Sequence, residues 1–223
     1  MGFRRSIANN IGSVEVFTSD SGDGDFQIRK PAPDVEHRRR QVVDAPWTWV
    51  RQVHGDRVLA VEHPGHHAGT EADGLITAVA GCPIAVTTAD CAPLVLVAQR
   101  GVGIVHAGWK GLNEGIVEKA ARSLRELAGD PVDAILGPCI HPGRYEFGSH
   151  ELDLISARYG PGVRAETEWG TAALDLPEAI GEACRGVGWA VSEVGACTSD
   201  PGYFSHRTRG DQQRQTTVAW IEP

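Results

Sequence analysis

Sulfur is scarce in this chain of 223 residues, and the scarcity excludes several classes of protein. The five cysteines, at 82, 91, 139, 184 and 197, are odd in number and form no C-x-x-C. Neither a disulfide scaffold nor a structural zinc finger is expected. No apolar run reaches the ~18 residues of a membrane span. The stretch from Met1 to Asn10 carries two arginines with no apolar segment behind them. A secretory signal is therefore not expected, and the cytoplasm is the expected compartment. Basic residues are also in deficit: 21 Lys and Arg against 29 Asp and Glu give a net charge of −8. That argues against nucleic acid as a partner, while leaving room for a local cationic pocket.

What is present suits a soluble globular protein: 41% hydrophobic and 22% charged residues. The length fits one domain over 1–223, large enough to fold without disulfide or metal. The polar loop Ser19–Asp25 faintly resembles a calcium loop, but Pro31 stands where a bidentate glutamate would be needed, so a plain solvated turn is expected. The run Arg38-Arg39-Arg40 reads as an exposed helical face.

From Trp47 onward the pattern turns to strands. Thr48–Val53 and Arg57–Val61 read as strands around a turn at His54-Gly55-Asp56. Ile84–Thr88 and Leu94–Ala98 suit buried strands, and Val102–Ala107 returns beside the second after a turn at Gln99-Arg100-Gly101. Val132–Leu136, Val191–Ala196 and Thr216–Ile221 are further strands. Leu112–Ala128 reads as an amphipathic helix with Ile116, Val117, Ala120, Ala121, Leu124 and Leu127 on one stripe, capped by Asn113 and ended by a left-handed Gly129. Glu151–Tyr159 and Pro177–Arg185 are the other helices. Hairpins mixed with helices predict an α+β fold, one domain with a mixed β-sheet core flanked by helices.

Three stretches carry candidate chemistry: Gln52-Val53-His54-Gly55, Thr88-Ala89-Asp90-Cys91-Ala92-Pro93 and His106-Ala107-Gly108-Trp109-Lys110-Gly111. Each puts a metal-ligating side chain at a strand end, where it can face a cleft on a rigid scaffold. Two imidazoles and a thiolate suit zinc, and three protein ligands leave a fourth tetrahedral position for water. The alternative reading makes Cys91 a small buried hydrophobe and His54 and His106 hydrogen-bonded histidines without metal. With the hairpin centred near Arg100, His106 lies opposite Leu94, and Cys91 falls roughly 10 Å further along and on the wrong face. On that register the three meet only if the chain bulges at Ala92-Pro93.

Together these stretches resemble the YfiH family of laccase-domain proteins, also called purine nucleoside phosphorylases. Further matching segments are Glu71–Thr77, Gly137-Pro138-Cys139-Ile140 with Tyr145-Glu146, and Cys197-Thr198 with Phe204-Ser205-His206-Arg207. The resemblance runs from about Trp47 to Ile221. It implies a zinc site from His54, Cys91 and His106, with copper the lesser alternative. It departs at the N-terminus, where Phe17–Ile28 is short and acidic, at His141 in place of a common glycine, and at Lys110 where arginine is common. Lysine cannot make arginine's bidentate fork to phosphate.

The resemblance implies phosphorolysis of adenosine, inosine, guanosine or methylthioadenosine, with hydrolytic deamination of adenosine as a companion. The expected partners are thus a purine nucleoside and phosphate. Asp90 or Glu146 is the candidate proton shuttle, Lys110 and Arg207 the candidate phosphate cations, and Asp73 a candidate for orienting a ligand histidine. Trp109 is a candidate purine platform, and Cys139 and Cys197 read as packing residues. Three other readings compete. A multicopper oxidase carries H-x-H pairs, which none of the nine histidines forms, and often an axial methionine, whereas Met1 is the only one. A metal-free hydrolase would use Cys91 with His106 or His54. A non-catalytic module would bind a nucleoside without turning it over.

Overall fold

The computed structural model describes residues 2–28 and 33–223, so Pro31 lies outside the described residues. The chain opens with an antiparallel hairpin of β1 (Phe3–Asn9) and β2 (Gly12–Thr18). β13 (Gln215–Ile221) pairs antiparallel with both β2 and β6 (Ile84–Thr88), and β3 (Thr48–Trp49) runs parallel to β6. This gives a five-stranded sheet in the order β1-β2-β13-β6-β3. The second sheet has six strands: β12 (Val191–Val194), β9 (Pro131–Leu136), β7 (Ala92–Ala98), β8 (Gly101–Ala107), β5 (Gly74–Thr77) and β4 (Val58–Ala60), in that order. Its two outer pairs are parallel and its inner pairs antiparallel. β10 (Arg164–Glu166) and β11 (Ala172–Leu174) form a small ribbon. The helices are α1 (Val35–Val42), α2 (Trp109–Glu114), α3 (Ile116–Ala128), α4 (Ser149–Tyr159), α5 (Leu176–Gly186) and α6 (His206–Arg209). The expected α+β class with a mixed sheet is what the structure shows.

Strand alternation sorts the core into layers. On β7, Leu94, Leu96 and Ala98 face a helical layer, whereas Val95 and Val97 face the five-stranded sheet. The sheets pack face to face through Val16, Ile84 and Val86 on one side and Val95, Val102 and Ile104 on the other. α3 covers the outer face of the six-stranded sheet with Ile116, Val117, Ala120, Ala121 and Leu124, all fully buried. Burying each leucine-sized side chain contributes about 2 kcal/mol. Phe26, Val35, Trp47 and Trp220 cover the outer face of the five-stranded sheet. Among the described residues no helix is long and apolar enough to cross a membrane.

Several expectations need correction. Thr48–Val53 and Arg57–Val61 are not two strands about a turn: β3 and β4 belong to different sheets. The segment between them crosses from one sheet to the other and carries His54 to the open end of the interface. The helix read over Leu112–Ala128 is two helices broken at Gly115, whose φ of 88° only glycine adopts readily. Asn113 therefore lies inside α2 and caps nothing. Leu127 is 42% exposed, and Ala128 takes the buried place instead. Gly129 ends α3 with φ 90° but ψ −164°, outside the left-handed helical region. In the arginine run Arg39 is buried, its guanidinium over Trp47 and Trp49 at 5.8 and 5.6 Å, so that face is not wholly exposed. The Ser19–Asp25 loop is also more than a solvated turn. Asp20 and Asp23 form a capping box, and Asp25 Oδ1 accepts the Arg214 N–H at 2.9 Å.

Candidate active site

The β7–β8 ladder decides whether Cys91 and His106 can meet. Pro93, not Leu94, lies opposite His106, and the pairing runs unbroken from Ala92 to Ala98. The expected register was one residue out. With the true register Cys91 lies two residues before the partner of His106, so the side-chain period of two returns both to one face. No bulge is required. Pro93 is tolerated because its pair with His106 is not a hydrogen-bonded one: the His106 N–H donates to the Asp73 carbonyl at 2.7 Å, and the Pro93 carbonyl accepts the Gly137 N–H at 2.8 Å. His106 shares the parity of Ile104 and Val102 on β8, which places it at the end of the inter-sheet core. The crossing segment brings in His54, whose left-handed φ of 63° is uncommon outside glycine. The ligand atoms of His54, Cys91 and His106 all lie within 4.8 Å of one another. The two imidazoles meet edge to face, centroids 4.8 Å apart.

Asp73 holds this group together. It is fully buried, and its Oδ1 accepts the His106 Nδ1–H at 2.8 Å. That bond leaves His106 Nε2 to face the cluster. The same carboxylate accepts the backbone N–H groups of Val53, His54 and Gly55 at 2.9 to 3.1 Å. One side chain thus orients one imidazole and fixes the loop bearing the other. Burial alone would raise the Asp73 pKa, but its bond to His106 and the backbone donors outweigh that and hold it below the usual carboxylate value. Burial likewise pushes the Cys91 thiol up, yet the facing His106 and His54 draw it down to about 6. Burial opposes a charge on His106, but Cys91 and Asp73 carry its pKa up to about 9. Both directions favour a thiolate beside an imidazolium. Gly108 completes the cradle: a Cβ there would stand 3.0 Å from Cys91 Sγ and 3.1 Å from His54 Cδ2.

The cluster opens into a cleft of about 480 Å³. Lys110, Arg207 and Arg214 line it, so the cleft is cationic in a chain of net charge −8. Arg214 was not foreseen, because nothing in its local sequence marks the residue just before β13. Asp90 is 8% exposed with φ 99°. Its carboxylate accepts from Thr198 Oγ1 at 2.8 Å, Ser205 Oγ at 2.6 Å and the Arg207 N–H at 2.6 Å. Glu146 does not line the cleft. It is exposed and bridged to Ala173 in extended pairing, so alternation turns Tyr145 inward instead. Tyr145 lies under the Arg207 guanidinium at 5.2 Å. Trp109 is half-buried on the cleft wall, edge to face with Phe147 at 5.6 Å. Cys139 is buried, and its backbone bridges that of Cys197.

Fold and site together define a class: an α+β protein whose soft three-ligand cluster opens into an anion-seeking cleft. The family model described as multi-copper polyphenol oxidoreductase laccase matches residues 17–222. The chain belongs to this laccase-domain, YfiH-like family. It is 38% identical to a purine nucleoside phosphorylase of Mycobacterium bovis over 98% of this chain and 92% of that protein. It is 35% identical to one of Xylella fastidiosa over 78% and 71%. The fold matches YlmD from Geobacillus stearothermophilus with a TM-score of 0.80 at 26% identity, over 94% of this chain and 92% of that one. It matches the hypothetical protein YfiH of Bacillus licheniformis with a TM-score of 0.83 at 23% identity, over 94% and 93%.

Proposed function

We propose that the chain is a metal-dependent purine nucleoside phosphorylase, cleaving the glycosidic bond of a purine nucleoside with inorganic phosphate to give free base and ribose 1-phosphate. The observation that carries this reading is the meeting of His54, Cys91 and His106 with Lys110, Arg207 and Arg214 in one cleft. The naming of the mycobacterial and Xylella relatives supports it. The donor set fits zinc: a thiolate and two imidazoles, one with its second nitrogen already engaged by a carboxylate. A cation held there would supply Lewis acidity.

The chain's own residues do the rest. Lys110, Arg207 and Arg214 hold the phosphate beside C1′ and screen its charge as the C1′–N bond breaks and the C1′–O bond forms. Trp109 and Tyr145 flank the base. Asp90 acts here as a positioning residue, because its three accepted bonds fix the segment that carries Arg207. With Asp90 engaged and Glu146 outside the cleft, neither carboxylate supplies the shuttle that deamination needs, and phosphorolysis is the favoured reaction.

A second reading has its own support. Cys91, His106 and Asp73 stand in the order of a nucleophile, its base and an orienting carboxylate. His54 argues for metal instead, since a hydrolase triad has no use for a third donor at the sulfur. The copper oxidation named by the family model is less well served: among the described residues only one group of three has its ligand atoms already converged, within 4.8 Å of one another. The test is to incubate metal-quantified protein with adenosine, inosine and methylthioadenosine, with and without phosphate, and weigh the products. Free base and ribose 1-phosphate should appear only with phosphate. Base release indifferent to phosphate, or activity that survives chelation and falls to an alkylating reagent, would overturn the reading.

A further inference from the structure

A second group of histidines lies outside the cleft. Between β4 and β5 the chain reads Glu62-His63-Pro64-Gly65-His66-His67-Ala68-Gly69. Consecutive tight turns wind this segment: His66 N–H donates to His63 C=O at 3.0 Å, Ala68 to Gly65 at 3.1 Å, and Thr70 to His67 at 2.9 Å. Gly65 and His67 both take left-handed φ values, 78° and 65°. Their effect is to gather three imidazoles on one side of the loop. His63 and His66 stack at 4.6 Å between centroids, and His66 and His67 at 3.6 Å. Gly69 anchors the loop, its N–H donating to Trp49 C=O at 2.8 Å.

We propose that His63, His66 and His67 form a second metal site, separate from the cleft and selective for late first-row divalent cations such as Ni²⁺, Cu²⁺ and Zn²⁺. Neutral imidazole is the donor these ions favour. His63 donates Nδ1–H to the Pro64 carbonyl at 3.3 Å, which leaves its Nε2 lone pair free to ligate. His66 Nδ1 is engaged only by a 3.3 Å bond from Glu62 N–H. His63 is exposed and the other two are partly so. The rings can therefore swing from stacking to convergence about χ1 and χ2 without disturbing the core. The turns have already gathered the donors, which lowers the entropic cost of capture. No sulfur takes part, so the site differs in kind from the thiolate cluster. A consequence follows for metal analysis: copper or nickel bound after loading need not report the centre that handles substrate.

The test uses Ni²⁺, which does not oxidise thiols. The His54→Ala/Cys91→Ala protein, with its central cluster disabled, is titrated calorimetrically, and one equivalent should bind. Adding His63→Ala, His66→Ala and His67→Ala should abolish that binding. In the otherwise native protein, His66→Ala with His67→Ala should weaken the second Ni²⁺ equivalent by about tenfold or more, while nucleoside turnover stays unchanged. A second measurement uses the same His54→Ala/Cys91→Ala protein: substoichiometric Ni²⁺ should broaden the His63, His66 and His67 ring-proton resonances before those of His37, His106, His141, His150 and His206. Equal Ni²⁺ affinity with and without the three histidines, no binding to the His54→Ala/Cys91→Ala protein, or broadening that starts at another histidine would overturn the proposal.

Discussion

His106 and Arg207 line the same cleft, yet they are held in opposite ways. His106 is 3% exposed, sits in a central strand, and is fixed by a buried carboxylate at 2.8 Å. Arg207 is exposed on a four-residue helix, and its guanidinium donates to the Glu146 carbonyl at 3.3 Å and lies over the Tyr145 ring at 5.2 Å. The wall that bears the His-Cys-His cluster is held rigidly by buried contacts, whereas the exposed side chains of the cationic wall are free to adjust. Asp90 joins them. It is the chain neighbour of Cys91, and its carboxylate accepts the Arg207 N–H. If this division is right, changes on the metal wall should abolish function outright, and changes on the cationic wall should alter phosphate dependence by degrees.

The largest effect belongs to the cluster itself. Cys91→Ala or His106→Ala should remove metal and lower turnover by about a thousandfold or more, with circular dichroism unchanged. Metal analysis beside kinetics checks this, and a metal-free variant with full turnover would dissolve the distinction between the walls. Gly108→Ala comes next. Its backbone tolerates alanine, with φ −91°, but the new methyl would press on both Cys91 Sγ and His54 Cδ2. Metal affinity should fall by about 10- to 100-fold, as for other disturbances around a ligand set, while thermal stability changes little.

The metal-free cluster offers a pH test. With the Cys91 thiol lowered to about 6, the nucleophilic thiolate persists at neutral pH and disappears as pH falls through that value. Alkylation of Cys91 in chelated protein should be near its plateau at pH 7.5 and slow about tenfold for each pH unit well below 6. His106→Ala should move the midpoint upward, because burial, which pushes the thiol up, would then be less well countered. An ordinary thiol profile in the native protein would show that the wall is not preorganised.

How much of this was legible in the sequence differs between the same two regions. β6, the β7–β8 hairpin and the helical stripe of α3 follow from apolar periodicity and turn residues, whereas His54, Cys91 and His106 stood out as candidates at strand ends and through the family resemblance. The register was missed because a two-residue loop, Gln99-Arg100, and a loop centred one residue away look alike in sequence, and one residue reverses every face. β1 was missed because Arg4 and Arg5 interrupt the apolar alternation on an edge strand that needs little of it; β2, internal to the sheet, does alternate at Val14, Val16 and Thr18, and that pattern went unread. Asp73 was suspected from its motif, but its bonds to the backbone of residues 53–55 depend on a contact across 18 to 20 residues that no local pattern encodes. Arg214 is the hardest case: it reaches the cleft only because β13 lies between β2 and β6.

Smaller effects are expected on the cationic wall. Lys110→Ala and Arg207→Ala should each raise the KM for phosphate by about tenfold, with less change in the KM for nucleoside, consistent with a charge-assisted contact of 1.5–3 kcal/mol partly screened by solvent. Asp90→Asn should act in the same direction through Arg207, since an amide placed there cannot accept all three bonds as well as a carboxylate. The smallest effect tests the orientation of one residue pair. Tyr145 faces the cleft and Glu146 faces solvent, so Glu146→Gln should leave kcat and both KM values within about twofold, as surface substitutions usually do. Tyr145→Ala should weaken nucleoside binding by removing a ring that also supports Arg207 at 5.2 Å. The reverse ranking would mean that the segment turns over when substrate binds, and that the cationic wall rearranges further than its exposed side chains alone require.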